Sequence, residues 1–198
     1  SNKRHWNLLK KASESGIKMY INESLLDELV SHFQKINNVY YRDFKNTEEY
    51  YLLDDYELLF IDEVLIRAYF YAKKRDLVKC FDDFLNNFID PNLKFLKEDL
   101  IIYLKDVFGI IYISNEAWDI KIPKDEKEKL ADKLEEKKIR PKAESDAEMI
   151  LAIYYLRNKN NESSDSGIFG YKTWWLSKDT STYWAVEEVL EKKYPISC

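Results

Sequence analysis

Three acidic side chains in this 198-residue chain are spaced so that they could do chemistry: Asp146, Asp179 and Glu28. Asp146 lies in AESDAEMILAIYYLR, which begins at Ala143 and has helical periodicity. At roughly 100° per residue, Met149, Ile150, Ile153 and Leu156 mark the buried side of that helix, and Asp146 falls within it. Glu144 and Glu148 point the other way. A carboxylate among Ile and Met is costly unless a cation or hydrogen-bond donors compensate it. Asp179 follows the apolar run Lys172–Leu176 and stands among Ser177, Thr180 and Thr182. Those hydroxyls read either as groups that orient water or a carboxylate, or as N-caps of the helix expected over Thr180–Lys192.

Glu28 belongs to SLLDELVSHFQKI, where Leu25, Leu26, Leu29, Val30, Phe33 and Ile36 make one apolar stripe. Glu28 and His32, four residues apart, share a border of the stripe, whereas Asp27 projects into solvent. The pair reads either as an acid and a proton carrier at a cleft edge, or as a surface Glu beside a solvated His.

Elements that would position these acids can be read in order. Lys3–Ser13 has a helical pattern ended by Gly16, and Ile17–Ile21 alternates like a strand. Asn22 then reads as an N-cap. Helical spacing recurs over Thr47–Tyr71, Leu77–Phe88 and Asn92–Phe108, with Asp90-Pro91 as a break. Adjacent acids in this stretch (Asp54-Asp55, Asp62-Glu63, Asp82-Asp83) diverge on a helix, so a solvated face is expected of them. Ile110–Ser114 restores a strand, Pro123 opens a charged helix, and Lys172–Leu176 and Tyr194–Cys198 read as strands. Such alternation predicts an α/β, three-layer fold with a mainly parallel sheet. One domain over 1–198 is expected, with 40–107 as a helical insertion. In such sheets functional groups gather beyond the carboxyl ends of the strands. A carboxylate cluster there attracts hard cations, Mg²⁺ or Mn²⁺.

Composition narrows the function classes. With 31 Lys+Arg against 36 Asp+Glu the net charge is −5, so the broad basic footprint of a duplex-DNA binder is absent. No apolar run reaches the roughly 20 residues that cross a bilayer. Two cysteines, Cys80 and Cys198, lie far apart and suit free thiols in a reducing cytoplasm. Walker-type, dinucleotide-type and DxDxT-type signatures are missing. The 15 Tyr, 10 Phe and 5 Trp are expected mainly in cores rather than stacked on bases.

Taken together, INESLLDEL, SDAEMILAIYYL and WWLSKDTS resemble three acidic blocks of PIN-domain nucleases in the expected order. These blocks are a helix after a strand carrying a Glu, an Asp opening an apolar helix, and a hydroxyl residue two places before an Asp. The resemblance covers about 1–40 and 108–198 and not the middle. It implies a PIN-like fold with Glu28, Asp146 and Asp179 as catalytic, metal-binding acids. It further implies Mg²⁺- or Mn²⁺-dependent hydrolysis of RNA or single-stranded nucleic acid. Lys178, His32 and Thr180 are the expected substrate contacts. PIN domains normally begin with a strand ending in a first acidic residue, which this chain lacks, so it reads as a piece of a longer protein. The alternative is a catalytically incomplete PIN-like domain that binds protein or RNA through its helical insertion.

Overall fold

A computed structural model describes residues 2–118, 121–163, 170–177 and 179–190. The chain divides into two compact units, Ser1–Ser114 and Asn115–Cys198.

The first unit opens with α1 (Asn2–Glu14) and β1 (Met19–Asn22). Asn22 ends β1 and caps α2 (Glu23–Val39), its Oδ1 accepting the Leu25 backbone N–H at 3.0 Å. That bond satisfies one of the orphan donors of the first turn. Leu26, Phe33 and Ile36 turn inward from α2, as their spacing predicts. The chain continues through a π-helical turn, Tyr40–Phe44, and a 3₁₀ turn, Lys45–Thr47.

Where one long helix was expected over Thr47–Tyr71, three shorter ones form: α3 (Glu48–Leu53), α4 (Asp55–Leu58) and α5 (Val64–Lys73). The break has a local cause. Asp54 is extended, and its Oδ1 accepts the Tyr56 N–H at 2.8 Å, starting a new helix in place of continuing the old one. The expected helix over Leu77–Phe88 is likewise reduced to α6 (Phe81–Leu85). Asp83 captures the Lys79 N–H at 2.8 Å, and Asp76 has a left-handed backbone.

After α7 (Leu96–Phe108), Gly109 (φ 67°) closes the helix in the left-handed conformation. A Cβ there would lie 2.7 Å from the Ser13 hydroxyl oxygen. Gly109 leads into β2 (Ile110–Ile113), which pairs in parallel with β1, Met19 opposite Ile110 through Asn22 opposite Ile113. The long helical connection is what a parallel pairing requires.

The core of this unit is aromatic. Tyr40 stacks on Phe81 at 3.9 Å between centroids, and Tyr69 meets both rings edge-on. Within this apolar setting the Glu48 carboxylate accepts hydrogen bonds from Tyr40 (2.7 Å), Tyr69 and Lys73. Burial alone would raise the Glu48 carboxyl, but its three donors outweigh it and bring the group below its ordinary range. The two hydroxyls move the other way. Burial, then the bond to Glu48, pushes Tyr40 and Tyr69 well above the ordinary tyrosine value.

The second unit is built on α8 (Asn115–Trp118), α9 (Lys124–Glu135), α10 (Arg140–Lys159) and α11 (Ser181–Leu190). Its core joins Leu130, Ala131 and Leu134 of α9, Ala143, Ala147, Ile150 and Leu151 of α10, and Ala185, Val186 and Leu190 of α11. Buried alanines let the helix backbones approach closely, and larger aliphatics fill the remaining space.

The strand expected over Lys172–Leu176 does not form; this stretch is irregular. Its backbone is held by side chains in place of a neighbouring strand. Glu162 accepts the N–H groups of Lys172 (2.7 Å) and Thr173 (2.9 Å), and Arg157 donates to the Thr173 carbonyl at 3.0 Å. The Arg157 guanidinium also lies over the rings of Tyr171 (4.1 Å) and Trp174 (5.0 Å). The strand expected over Tyr194–Cys198 lies outside the described residues. The described chain is therefore a mixed α/β structure, mostly helical, with one parallel two-stranded sheet. No helix among the described residues is long and apolar enough to cross a membrane.

Two outcomes are expected at the Glu48 cluster. Glu48→Ala should cost about 2–4 kcal/mol in urea unfolding, because it strands two hydroxyls and an ammonium, whereas Tyr69→Phe should cost about 1 kcal/mol. Folded pKa values raised above about 10 mean that the tyrosine contribution is complete below that pH and lost as pH rises through the folded values. Tyrosinate absorbance should therefore appear for Tyr40 and Tyr69 only together with loss of far-UV circular dichroism. Ionisation of both before unfolding would contradict this.

Candidate functional site

The second unit brings two of the three expected acids together. Asp146 sits two turns into α10, with Ala143, Ala147, Met149 and Ile150 on the same buried face, and is 9% exposed. Helical phase separates it from its neighbours as expected. Glu144 pairs outward with Arg140 at 2.7 Å, and Glu148 pairs with Lys127. Asp179 stands just before α11 and serves as the acceptor at its start. Its Oδ1 takes the Ser181 N–H (2.8 Å) and the Ser181 hydroxyl (2.6 Å).

What joins the two acids is Lys138, in the turn between α9 and α10. Its Nζ donates to Asp146 Oδ2 at 2.5 Å and to Asp179 Oδ2 at 2.6 Å. Both acceptor oxygens therefore face one point, and a single positive charge fills it. The side chains are 7% exposed for Lys138, 13% for Asp146 and 28% for Asp179, so solvent reaches the cluster from the Asp179 side. The turn that presents Lys138 is short: Lys137 N–H closes on the Leu134 carbonyl, and Ile139 is extended ahead of Pro141 in the first turn of α10. Two lysines and an arginine fall in this turn, and its geometry sends Lys138 inward. Arg140 goes to the surface, bonding Glu144, Glu135 (3.0 Å) and Asp132.

The electrostatics follow from the contacts. Lys138's ammonium, assisted by the Ser181 hydroxyl and N–H, holds the Asp179 carboxyl well below the usual carboxylate range against the opposing effect of burial. Burial acts to lower Lys138, but the bonds to Asp146 and Asp179 outweigh it and raise the group above its ordinary value. Asp179 is thus a carboxylate and Lys138 an ammonium at neutral pH.

The hydroxyl residues divide differently from the expectation. Ser177 accepts the Asp179 N–H at 3.1 Å, and Thr182 donates to the Asp179 carbonyl at 2.8 Å. Both therefore shape the turn, and the hydroxyl on the carboxylate is that of Ser181. Thr180 is exposed in the same turn. Lys178 lies outside the described residues. Beside the cluster, Lys133, Lys137, Ser181, Trp184 and Glu188 help to line a cleft of about 120 Å³. Trp184 is an exposed ring there, edge-on to Tyr183.

Glu28 and His32 belong to the first unit, on α2. Their side chains are 54% and 58% exposed and 3.7 Å apart, a surface i, i+4 pair. This matches the reading as a solvated pair, and Glu28 is more open than the border position assigned to it. Among the described residues no group of three or more His, Cys, Asp or Glu side chains is arranged to hold a metal ion.

Lys138 was the residue missed from the sequence. A signal existed in the cost of burying Asp146, which calls for a cation, and in the basic turn KKIRPK just before it. Removing that cation should be expensive. Lys138→Ala is expected to cost about 3 kcal/mol in chemical denaturation, because it leaves two carboxylates facing each other in a half-dry site. Asp146→Asn should cost less, and a double-mutant cycle between the two positions should give a coupling above about 1 kcal/mol. Additive effects would show that the contact carries no energy.

Compared with protein-family models, curated proteins and solved structures, the chain gave no significant match.

Proposed function

We propose that the chain is a PIN-like nuclease domain that hydrolyses phosphodiester bonds of RNA or single-stranded nucleic acid with the aid of Mg²⁺ or Mn²⁺. One observation carries the reading: Asp146 and Asp179, remote in sequence, direct one oxygen each at a single cation position. Two carboxylates converging from a helix face and a helix start are a donor set that suits a hard divalent ion, whose remaining positions go to water and phosphate. Asp146 and Asp179 are the residues that would hold it, and the PIN resemblance assigns Glu28 as a further acid. When bound, such an ion supplies Lewis acidity and offsets negative charge on phosphate oxygens. Ser181 holds Asp179 in the rotamer that faces the cation position. Trp184 offers an exposed ring for an unpaired base, and Lys137 borders the same cleft. The parallel β1–β2 pair with its helical connection supports a PIN-like sheet, of which the three-layer arrangement is the fuller form.

A second reading, a catalytically incomplete interaction domain, draws support from a different observation. Tyr50, Leu53, Tyr56, Leu59 and Phe60 are all exposed on α3, α4 and the turn after them. An apolar surface of this kind suits a protein partner.

Mn²⁺-dependent cleavage of a labelled single-stranded RNA separates the two. The nuclease reading expects turnover that chelation abolishes and that falls at least about a hundredfold in Asp146→Asn and in Asp179→Asn. Trp184→Ala should weaken RNA binding by about 1–3 kcal/mol. Activity that survives both Asp substitutions would place the chemistry elsewhere.

A further inference from the structure

The Lys138 ammonium occupies the point that both carboxylates face. We propose that Lys138 is the site's own counter-ion, which keeps Asp146 and Asp179 together at rest and competes with a divalent cation for their inner oxygens. This rests on the reading of these acids as metal ligands. It adds a regulatory element: cation entry requires Lys138 to withdraw.

The geometry gives the reasons. The two carboxylate oxygens, at 2.5 and 2.6 Å from Nζ, are saturated by the same charge that would otherwise be supplied from solution. Without it, two acidic side chains would face each other in a site that is largely closed. A lysine is suited to leaving such a position, because its ammonium is a compact charge on a flexible four-carbon stem. Lys138 is carried by the turn between α9 and α10 and not by a helix face. The cluster is open on the Asp179 side, which gives an ion its approach. An enclosed ion pair often brings no more stability than apolar packing of the same volume, so stability alone is a weak account of the arrangement. Competition also sets the apparent affinity, which is the intrinsic affinity multiplied by the fraction of molecules whose lysine has withdrawn.

The test is a Mn²⁺ titration of the whole chain, followed by the loss of the free-ion paramagnetic resonance signal and by thermal melting. Lys138→Gln should melt lower than the wild-type chain without metal, recover on adding Mn²⁺, and bind the ion at least about tenfold more tightly. Adding Asp146→Asn to that variant should abolish the gain. Equal Mn²⁺ binding by wild type and Lys138→Gln, or none by the variant, would overturn the proposal. Should Lys138→Gln not fold, acylation of wild-type lysines read by mass spectrometry decides. Lys138 should be protected in chelator and become reactive in millimolar Mn²⁺; unchanged reactivity would overturn the proposal. The outcome is separable from the nuclease reading. If Lys138→Gln gains Mn²⁺ binding while no variant cleaves RNA, the counter-ion role stands and the nuclease reading falls. Cleavage without any change at Lys138 gives the reverse.

Discussion

The second unit is organised by the demand of one buried acid for a positive charge. Asp146 lies on the inner face of α10, among alanines and aliphatics that let α9 and α11 pack closely. An ionised carboxylate there is tolerable only if it is paired and hydrogen-bonded. Lys138 meets that demand from the preceding turn, and its second bond reaches Asp179 at the start of α11. One ammonium therefore ties the turn before α10 to the turn before α11. Pro141 and the extended Ile139 determine how the chain enters α10, and so how Lys138 is aimed. The ionic contact and the helix packing are mutually dependent: the alanines bring the helices near enough for the lysine to span, and the lysine makes the acid bearable inside.

The first unit solves the same problem with different chemistry. Glu48 is also enclosed by apolar groups, and it too has a lysine, Lys73. Its remaining capacity is taken by two phenolic hydroxyls that belong to the aromatic core. The donors come from α5 and the π-helical turn, both fixed by stacked rings, so the carboxylate is held by three donors although part of it reaches solvent. At Asp146 and Asp179 the balance differs. The inner oxygens depend on a single flexible cation, and Asp179 remains open to solvent. The two acids thus differ in their donors: Glu48 is shared among two phenols and a lysine, whereas Asp146 shares one lysine with Asp179.

Much of this was legible in the sequence, for identifiable reasons. Period and phase distinguished Asp146 from Glu144 and Glu148, because a helix of fixed pitch assigns each residue a face. Asn22 as a cap and the short strands after Gly16 and Gly109 are local features, visible in a few residues. Other features depended on partners distant in sequence. Lys172–Leu176 reads as a strand by its aromatic content, yet Glu162 and Arg157 take its backbone groups, and neither side chain is implied by a period-two pattern. Asp54 and Asp83 broke expected helices by accepting backbone N–H groups, a competition that periodicity does not register. Lys138 escaped notice because it lies in a turn, where no periodicity says which of several basic residues points inward.

The identity of that residue carries the last step. An arginine at the same position would present a rigid planar fork that can engage carboxylates through paired bonds, and its strong contacts would resist exchange. Arg140, two residues on, spreads single bonds over three acids at the surface. An apolar residue would leave the carboxylates unpaired. Lysine stands between these extremes: it bridges the two acids at short range through one bond to each, on a flexible stem. The two cations thus divide: Arg140 joins a surface network of three acids, and Lys138 lies between two carboxylates of lower exposure. That division leaves Lys138 as the cation on which the buried acid of α10 depends.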